Sequence, residues 1–562
     1  MSLDSRRAAL AHRKDWMRRV AQATVPFALL LGLAVILQIL SGTYHAELSS
    51  PDEPAHYVTG LMIRQYVVSG MTNSPLAFAT DYYIHYPKVT FGIWPPFFHI
   101  VEATWMLVLP TSRISLLFLM ALITGATAFL LYRFGRQDFS RVTAFILAAI
   151  LLMLPTTQYV TSRVLADGLV TCLDLAAATA WVAYLDRNRW RYAVVFGVLG
   201  SLSMLTKGNG GALLLLPFAS AAIAWRPWLL RKTSFWVGPL LMVTVSGPWQ
   251  LYSWRIVQTT VSSASLYAHR WTDQFVRYTV LLRNEVGLLA CLVATVGFAT
   301  VCRRRHSQGE LPGTWSVLAA LPLIIVGFHA TVPLVPATRY LMAATAAILW
   351  LTALGVKSVA AAAPTPTTVP SLPFGTVAVI VLGSFLATTF QIPQKGHFGI
   401  DEVATDLLAA PHDNPSVILV SSWNDASNLS GMLIAEMAMR ENRPSFIVLR
   451  ADKVLSRSNW DGGRYELLFR TSDAINHYLK GVPVDVIVLE SSICDGEERP
   501  DHRLLVQALT NNKDWKATAA YGSRRQGSHS VQILRSTRSV VAGHRNVSID
   551  MRYSLGRDIS LK

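Results

Sequence analysis

Apolar runs of about 16–22 residues recur along this 562-residue chain up to Gln391, and then they stop. No other feature restricts the fold as much. Runs of that length match the roughly 30 Å hydrocarbon core of a bilayer, whereas the mean helix of a soluble protein is shorter. They predict a polytopic α-helical membrane protein with about eleven transmembrane helices, followed by a soluble α/β domain. Composition agrees. Hydrophobic residues make up 52% of the chain and charged residues 15%, against about 25% charged in ordinary soluble domains. Mean hydropathy is +0.36. A net charge of +16 would suggest nucleic acid in a soluble protein. Here the cations sit between apolar runs, where cytoplasmic loops carry them, so the expected partner is the lipid bilayer and no nucleic acid is expected. Of the four cysteines, Cys172 and Cys291 lie inside apolar runs, Cys302 abuts an Arg cluster and Cys494 alone is in the soluble part. They form no disulfide framework or metal-ligand spacing.

The cations also orient the chain. Arg6, Arg7, Arg13, Lys14, Arg18 and Arg19 place residues 1–24 in the cytoplasm. The first apolar run, 25–40, lacks a small-x-small cleavage site and reads as a retained signal anchor. A long first outer loop then covers 42–113. Its apolar stretch 94–110 opens with Pro95-Pro96 and carries His99 and Glu102, so it reads as a helix lying in the interface. With that assignment the spans run 114–132, 142–158, 168–185, about 192–206, 210–225 and onward. The clusters at Arg133–Arg141, Arg187–Arg191, Arg226–Lys232 and Arg303–Arg305 all fall inside. Residues 253–278 form an outer loop, 332–338 an outer turn and 357–373 a cytoplasmic linker. The last span, 374–391, exits. The transmembrane domain is thus 25–391, and 392–537 is extracytoplasmic. Its β-rich runs at 417–422, 445–450 and 485–490 alternate with helical patterns at 428–441, 465–479 and 502–511, which suggests a small parallel sheet. Residues 530–534 add an antiparallel edge strand. The basic tail, 538–562, reads as loosely ordered. The cysteine-poor outer domain and short N-terminus fit a bacterial inner membrane.

This topology sorts the unusual polar residues onto the outer face. Asp52-Glu53 follows the first span; two adjacent carboxylates there either hold a cation, accept protons or cap a helix. Arg163 and Asp167 stand at the start of the fourth span, spaced for an i,i+4 pair. Lys207 lies in Leu-Thr-Lys-Gly-Asn-Gly-Gly on the side where positive-inside bias does not place it. It is either a phosphate ligand or part of a Gly-rich turn. Arg339-Tyr340 is a further outward cation, suited to bidentate phosphate contact or to snorkelling. Tyr82, Tyr83, His85, Tyr86, Lys88 and Trp94 make an aromatic stretch that serves as an interfacial belt or as a wall for a sugar ring. An acidic pair, a third carboxylate and two cations on one face point to chemistry there.

Taken together, Asp52-Glu53, Pro95-Pro96, Asp167, Leu205–Gly208 and Arg339-Tyr340 resemble the GT-C superfamily of lipid-dependent glycosyltransferases. The nearest likeness is to glycosyltransferase family 39 and the aminoarabinose transferases, over roughly residues 20–390. Two positions depart from the pattern. Trp94 replaces a Lys or His before Pro-Pro, with Lys88 or His85 left to supply the cation. His56, then Tyr57, stands where a Tyr is common. The resemblance implies transfer of a sugar from a polyprenyl-phosphate donor to an acceptor hydroxyl on a glycan, lipid or protein, with inversion. Asp52 would be the general base. Lys207 and Arg339, with Lys88 and Arg163, would bind the donor phosphate. His56, Tyr57, Tyr83, His85, Tyr86, Trp94 and Tyr340 would line the substrate. Glu53 and Asp167 would orient the acceptor or, with Asp52, hold a divalent ion; carboxylates suit Mg or Mn. The alternatives are a flippase of lipid-linked saccharides and a non-catalytic subunit of an envelope-polysaccharide assembly. A transporter would carry ionisable groups at mid-membrane, and the spans here are nearly free of charge.

Overall fold

The computed structural model describes residues 3–260, 271–308, 311–332, 335–361, 374–409, 416–424, 428–441, 446–459, 464–490, 497–522, 530–538, 547–555 and 557–561. Cys494 and residues 362–373 of the expected linker lie outside them, as do residues 261–270 of the expected outer loop.

Every apolar run predicted to span is helical. Among the described residues, five helices are long and apolar enough to cross a membrane: Gln22–Leu40, Arg113–Asp138, Asp167–Arg187, Gly313–Thr331 and Thr338–Ala361. Two bent pairs raise the number to seven. The other expected spans are shorter helices, such as Trp190–Thr206, Gly208–Ile223 and Gly375–Thr388, or the Pro-interrupted helix Thr233–Thr260. The chain is an integral membrane protein.

Both bends have local causes. Arg141–Met153 meets Pro155–Thr161 at 68°. Proline forces the residue before it out of the helical region, and Leu154 sits at φ −63°, ψ 138°. Glu285 then satisfies the new helix start, accepting from the Thr156 N–H at 3.0 Å and its hydroxyl at 2.7 Å. Trp271–Val286 meets Leu288–Ser307 at 108°. Gly287 makes that turn at φ +87°, where a side chain would be strained. Trp271–Val286 replaces the end of the expected outer loop. It buries Tyr278 and Leu282 and exposes Trp271, Phe275 and Val276, the pattern of a helix lying in an interface.

The first outer loop folds into helices Glu53–Val68, Pro75–His85 and Phe97–Val108. The last has 12 residues, so it rises about 18 Å and does not cross a bilayer. It buries Phe98, His99, Glu102 and Met106 and exposes Ile100, Leu107 and Val108.

The C-terminal region holds a five-stranded sheet in the order Ile447–Arg450, Val417–Ser421, Val486–Glu490, Ser530–Ser536, Trp515–Gly522. Its first three strands are parallel and the others antiparallel. Ser530–Ser536 is therefore interior, and the edge belongs to Trp515–Gly522. That strand reads Trp-Lys-Ala-Thr-Ala-Ala-Tyr-Gly, poor in β-branched residues, which is why pattern alone misses it. The expected helix at 465–479 shrinks to Ser472–Gly481, capped by Thr471. Glu466–Leu467 pairs with Ser456–Arg457 instead. The tail is not simply loose: Ser548–Ile549 pairs with Ile559–Ser560 and both isoleucines are buried.

One hydrophobic core joins this region to the outer loop. It contains Tyr57, Leu61, Tyr82, Tyr86 and Phe98 together with Leu419, Leu433, Val448 and Ile487. Polar contacts stitch the same seam. The His85 imidazole meets the Phe446 carbonyl at 2.7 Å, Tyr86 donates to Glu441 at 2.8 Å, and Arg113 lies 3.4 Å from Glu436.

Candidate active site

Asp52 stands at the N-cap position just before the helix Glu53–Val68, but its side chain caps no N–H. The Arg339 Nη2 donates to its Oδ2 at 2.8 Å instead. Both partners are partly open to solvent, Asp52 at 27% and Arg339 at 22%. The first loop and the start of a late span, 287 residues apart in sequence, thus meet.

Asp167 starts the helix Asp167–Arg187 and accepts from the Lys207 ammonium through both oxygens, at 2.8 and 2.9 Å. The expected i,i+4 pair with Arg163 does not form. Arg163 stacks over Tyr159 at 3.9 Å and bonds the Ser162 hydroxyl at 2.9 Å. Lys207 breaks the helical path with extended φ −160°, ψ 145°. The glycine required nearby is Gly210. A Cβ there would collide with the Ser203 side chain and the Ser203–Met204 backbone, whereas one on Gly208 meets only Gln250 at 3.9 Å.

Tyr340 links the two ion pairs. Its ring lies 4.9 Å from the Lys207 ammonium and 5.6 Å from the Arg339 guanidinium. His329, missed in the sequence, stacks on Tyr340 with centroids 5.4 Å apart and 20° between planes. Tyr278 packs on His329 in turn, also at 5.4 Å.

On the other side, His56 stacks on Trp94 at 4.0 Å and 23°, and its Nδ1 lies 3.1 Å from Nε2 of His99. Burial holds His56 well below the usual imidazole range, with help from His99 and the charges of Lys207 and Arg339. Burial lowers His99 to about 3. Both rings are therefore neutral at pH 7, a stacked polar wall beside the ion pairs. Glu102, one turn beyond His99, is fully buried with neither carboxyl oxygen bonded among the described residues. Burial pushes it well above the carboxylate range.

The remaining predicted residues go elsewhere. Glu53 is sealed at 0% exposure in an ion pair with Lys395 at 2.7 Å. Lys88 donates to Asn428 at 3.2 Å, and His85 and Tyr86 serve the same seam, so none of the three supplies an open phosphate contact. Tyr83 is buried against Phe91, and Tyr57 donates to the Thr111 carbonyl at 2.8 Å. Asp52, Glu53 and Asp167 do not converge on a shared ion, because each is neutralised by its own cation. They do not fit the expected metal site. The donor group that does converge among the described residues is Glu47, His397 and Asp401. Glu47 already accepts from the Phe398 and Ile400 N–H groups at 2.9 and 3.0 Å.

Residues 94–254 match the family described as dolichyl-phosphate-mannose-protein mannosyltransferase. A sequence search of curated proteins gives no match. The fold is similar to that of ArnT from Cupriavidus metallidurans in its apo state, with a TM-score of 0.55 at 13% identity over 91% of this chain and 98% of that one. It is similar as well to ArnT from the same organism bound to undecaprenyl phosphate, with a TM-score of 0.54 at 13% identity over 93% of this chain and all of that one. The chain has a GT-C glycosyltransferase fold. The oligosaccharyltransferase of Archaeoglobus fulgidus shares that GT-C fold at a TM-score of 0.50 and 11% identity, over 84% of this chain and 70% of that one. In this fold Asp52, Asp167, Lys207 and Arg339 all stand at helix ends, with Tyr340 beside the two cations.

Sequence reasoning missed His99, His329 and Lys395. Lys395 had a signal: like Lys207, it is a lone cation just beyond a span on the side where positive-inside bias does not place one. His99 signalled only that its helix lies in the interface, and His329 carried no signal, because a single imidazole in an apolar stretch reads as core.

Proposed function

We propose that the chain transfers a sugar, with inversion, from a polyprenyl-phosphate donor to an acceptor hydroxyl on the extracytoplasmic side of the membrane. The observation that carries this is two ion pairs joined by Tyr340: Asp52–Arg339, partly open to solvent, and Asp167–Lys207, open only on its lysine side. A donor phosphate attracts both cations. Arg339 exchanges Asp52 for a phosphate oxygen, and Asp52 is released as a base where an acceptor can approach it. The acceptor oxygen attacks the anomeric carbon and its proton passes to Asp52. The bond to the phosphate oxygen breaks, its electron pair stays on the phosphate, and Arg339 and Lys207 stabilise that charge. Asp167, 1% exposed, holds Lys207 in place. Trp94, His56 and Tyr340 form aromatic surfaces suited to a sugar ring. No step needs a metal.

Support comes from the ArnT structure that contains undecaprenyl phosphate and from the mannosyltransferase profile over 94–254. The test is release of free polyprenyl phosphate from a panel of polyprenyl-phosphate sugars by the purified chain in detergent with mixed acceptors. Release with one donor, lost in Asp52→Asn, is the expected result. Release unchanged by the substitution removes Asp52 from the mechanism. No release from any donor removes the function.

A further inference from the structure

Lys395 lies four residues past Gln391, where the chain leaves the last apolar run. Its ammonium donates to Glu53 Oε1 at 2.7 Å and to the Ser162 carbonyl at 3.3 Å. Its backbone N–H donates to the Ser41 carbonyl at 2.9 Å. Glu53 in turn accepts from the Val164 N–H at 3.1 Å and from the Ser50 N–H at 3.4 Å. Four segments meet at this one buried pair. Ser50 stands two residues before Asp52, and Val164 three residues before Asp167.

Removing two charges from water costs several kcal/mol each, and a well-packed apolar pair often replaces them without loss of stability. A sealed ion pair is therefore poor evidence of a need for stability. What an apolar pair lacks is direction: it does not hold two loop N–H groups and a carbonyl at fixed distances. We propose that Lys395 is a positioning residue for the transfer step, setting through Glu53 the spacing between Asp52 and Asp167. Neither Lys395 nor Glu53 touches substrate, since both side chains are fully enclosed. The inference rests on the glycosyl-transfer reading, because it assigns Asp52 and Asp167 their roles. It also makes the segment leading into the soluble domain part of the active site.

The test uses the full chain in detergent and four variants, with two readouts: kcat for polyprenyl-phosphate release and Kd for free polyprenyl phosphate. The double variant Lys395→Met with Glu53→Gln leaves no unpaired charge, while Lys395→Met alone strands Glu53 and is the stability control. Glu53→Asp and Lys395→Arg keep both charges and alter only the reach. The expected result is a fall in kcat of about 10²-fold in the double variant, the effect of a misplacement near 1 Å. Kd stays within about twofold, and Lys395→Arg recovers more activity than Lys395→Met. Wild-type kcat in both the double variant and Glu53→Asp overturns the inference alone. A wild-type chain that releases nothing overturns the transfer reading and this inference with it. Should the double variant not fold, Glu53→Asp carries the decision by the same two readouts.

Discussion

Asp52 and Glu53 are neighbours in sequence, yet one faces the aqueous surface and the other has no exposed atom. Successive helix positions are about 100° apart, so one residue's step along the first turn suffices to divide the two roles. Each carboxylate has a cation, but the pairs differ in kind. Asp52–Arg339 is partly solvated, where an ion pair contributes only about 0–1 kcal/mol and a more highly charged phosphate displaces it readily. Glu53–Lys395 is dry, where removing one partner costs about 3–5 kcal/mol. On the proposed mechanism the first opens during turnover and the second stays shut. Partner identity alone therefore says little about role, and exposure decides it.

The largest expected effect separates the two members directly. Asp52→Asn should cut turnover by about 10²–10⁴-fold, the usual worth of a general base, while the thermal midpoint in detergent stays put. Glu53→Gln should do the reverse to the fold, costing about 3–5 kcal/mol because Lys395 is left buried and alone. Equal stability of the two variants breaks the comparison. Next, Lys207→Met should lower kcat by about 10²–10³-fold, as loss of one group that meets developing charge does. It should also weaken binding of free polyprenyl phosphate, which isothermal titration reads.

Smaller effects test the imidazole wall. His56 and His99 have lowered values in the folded chain, His99 about 3, against an ordinary 6.5. The unfolded chain gains protons below pH 6.5 and the folded chain does not. Their contribution to stability is complete above pH 6.5 and is lost as pH falls from there, so the thermal midpoint should drop between pH 7 and 5. His99→Gln should flatten that slope. Glu102 has the opposite sign. Its value is raised above 4.5, so stability declines as pH rises past 4.5. Glu102→Gln should raise the midpoint at pH 7.5, by about 1 °C per kcal/mol recovered in a chain of this length, and leave it unchanged near pH 4.

The sequence revealed the parts of this molecule that depend on one-dimensional patterns. Apolar length marked the helices, Arg clusters marked their ends, and β-rich runs marked the three parallel strands. Lys207 and Arg339 stood out as cations where the topology disfavours them, Asp52 and Asp167 as carboxylates sorted onto the same face, and the structure brings all four together. Partnership was not legible. Arg163 sits at ideal spacing for Asp167, but Lys207, 40 residues on, takes that place. Glu53 resembles Asp52 in every local respect, and only the return of the chain at Lys395 distinguishes them. Lys88, His85 and Tyr86 looked like a substrate wall because aromatic and basic residues suit that use; they also suit a seam with a second domain, which no local pattern announces.

The Glu53–Lys395 contact joins residues 342 apart. A ribosome adding 5–20 residues per second needs roughly 17–68 s to cover that distance. Asp52, Asp167, Lys207 and Arg339 have all been synthesised before Lys395 emerges. During that interval the nascent chain carries those four residues without the Lys395 contact that the proposal makes their latch. The latch closes only when the chain has passed the last apolar helix and turned back to the end of the first, where the Lys395 N–H meets the Ser41 carbonyl. On the proposed reading, a product truncated before Lys395 lacks that latch and should release less polyprenyl phosphate than the full chain.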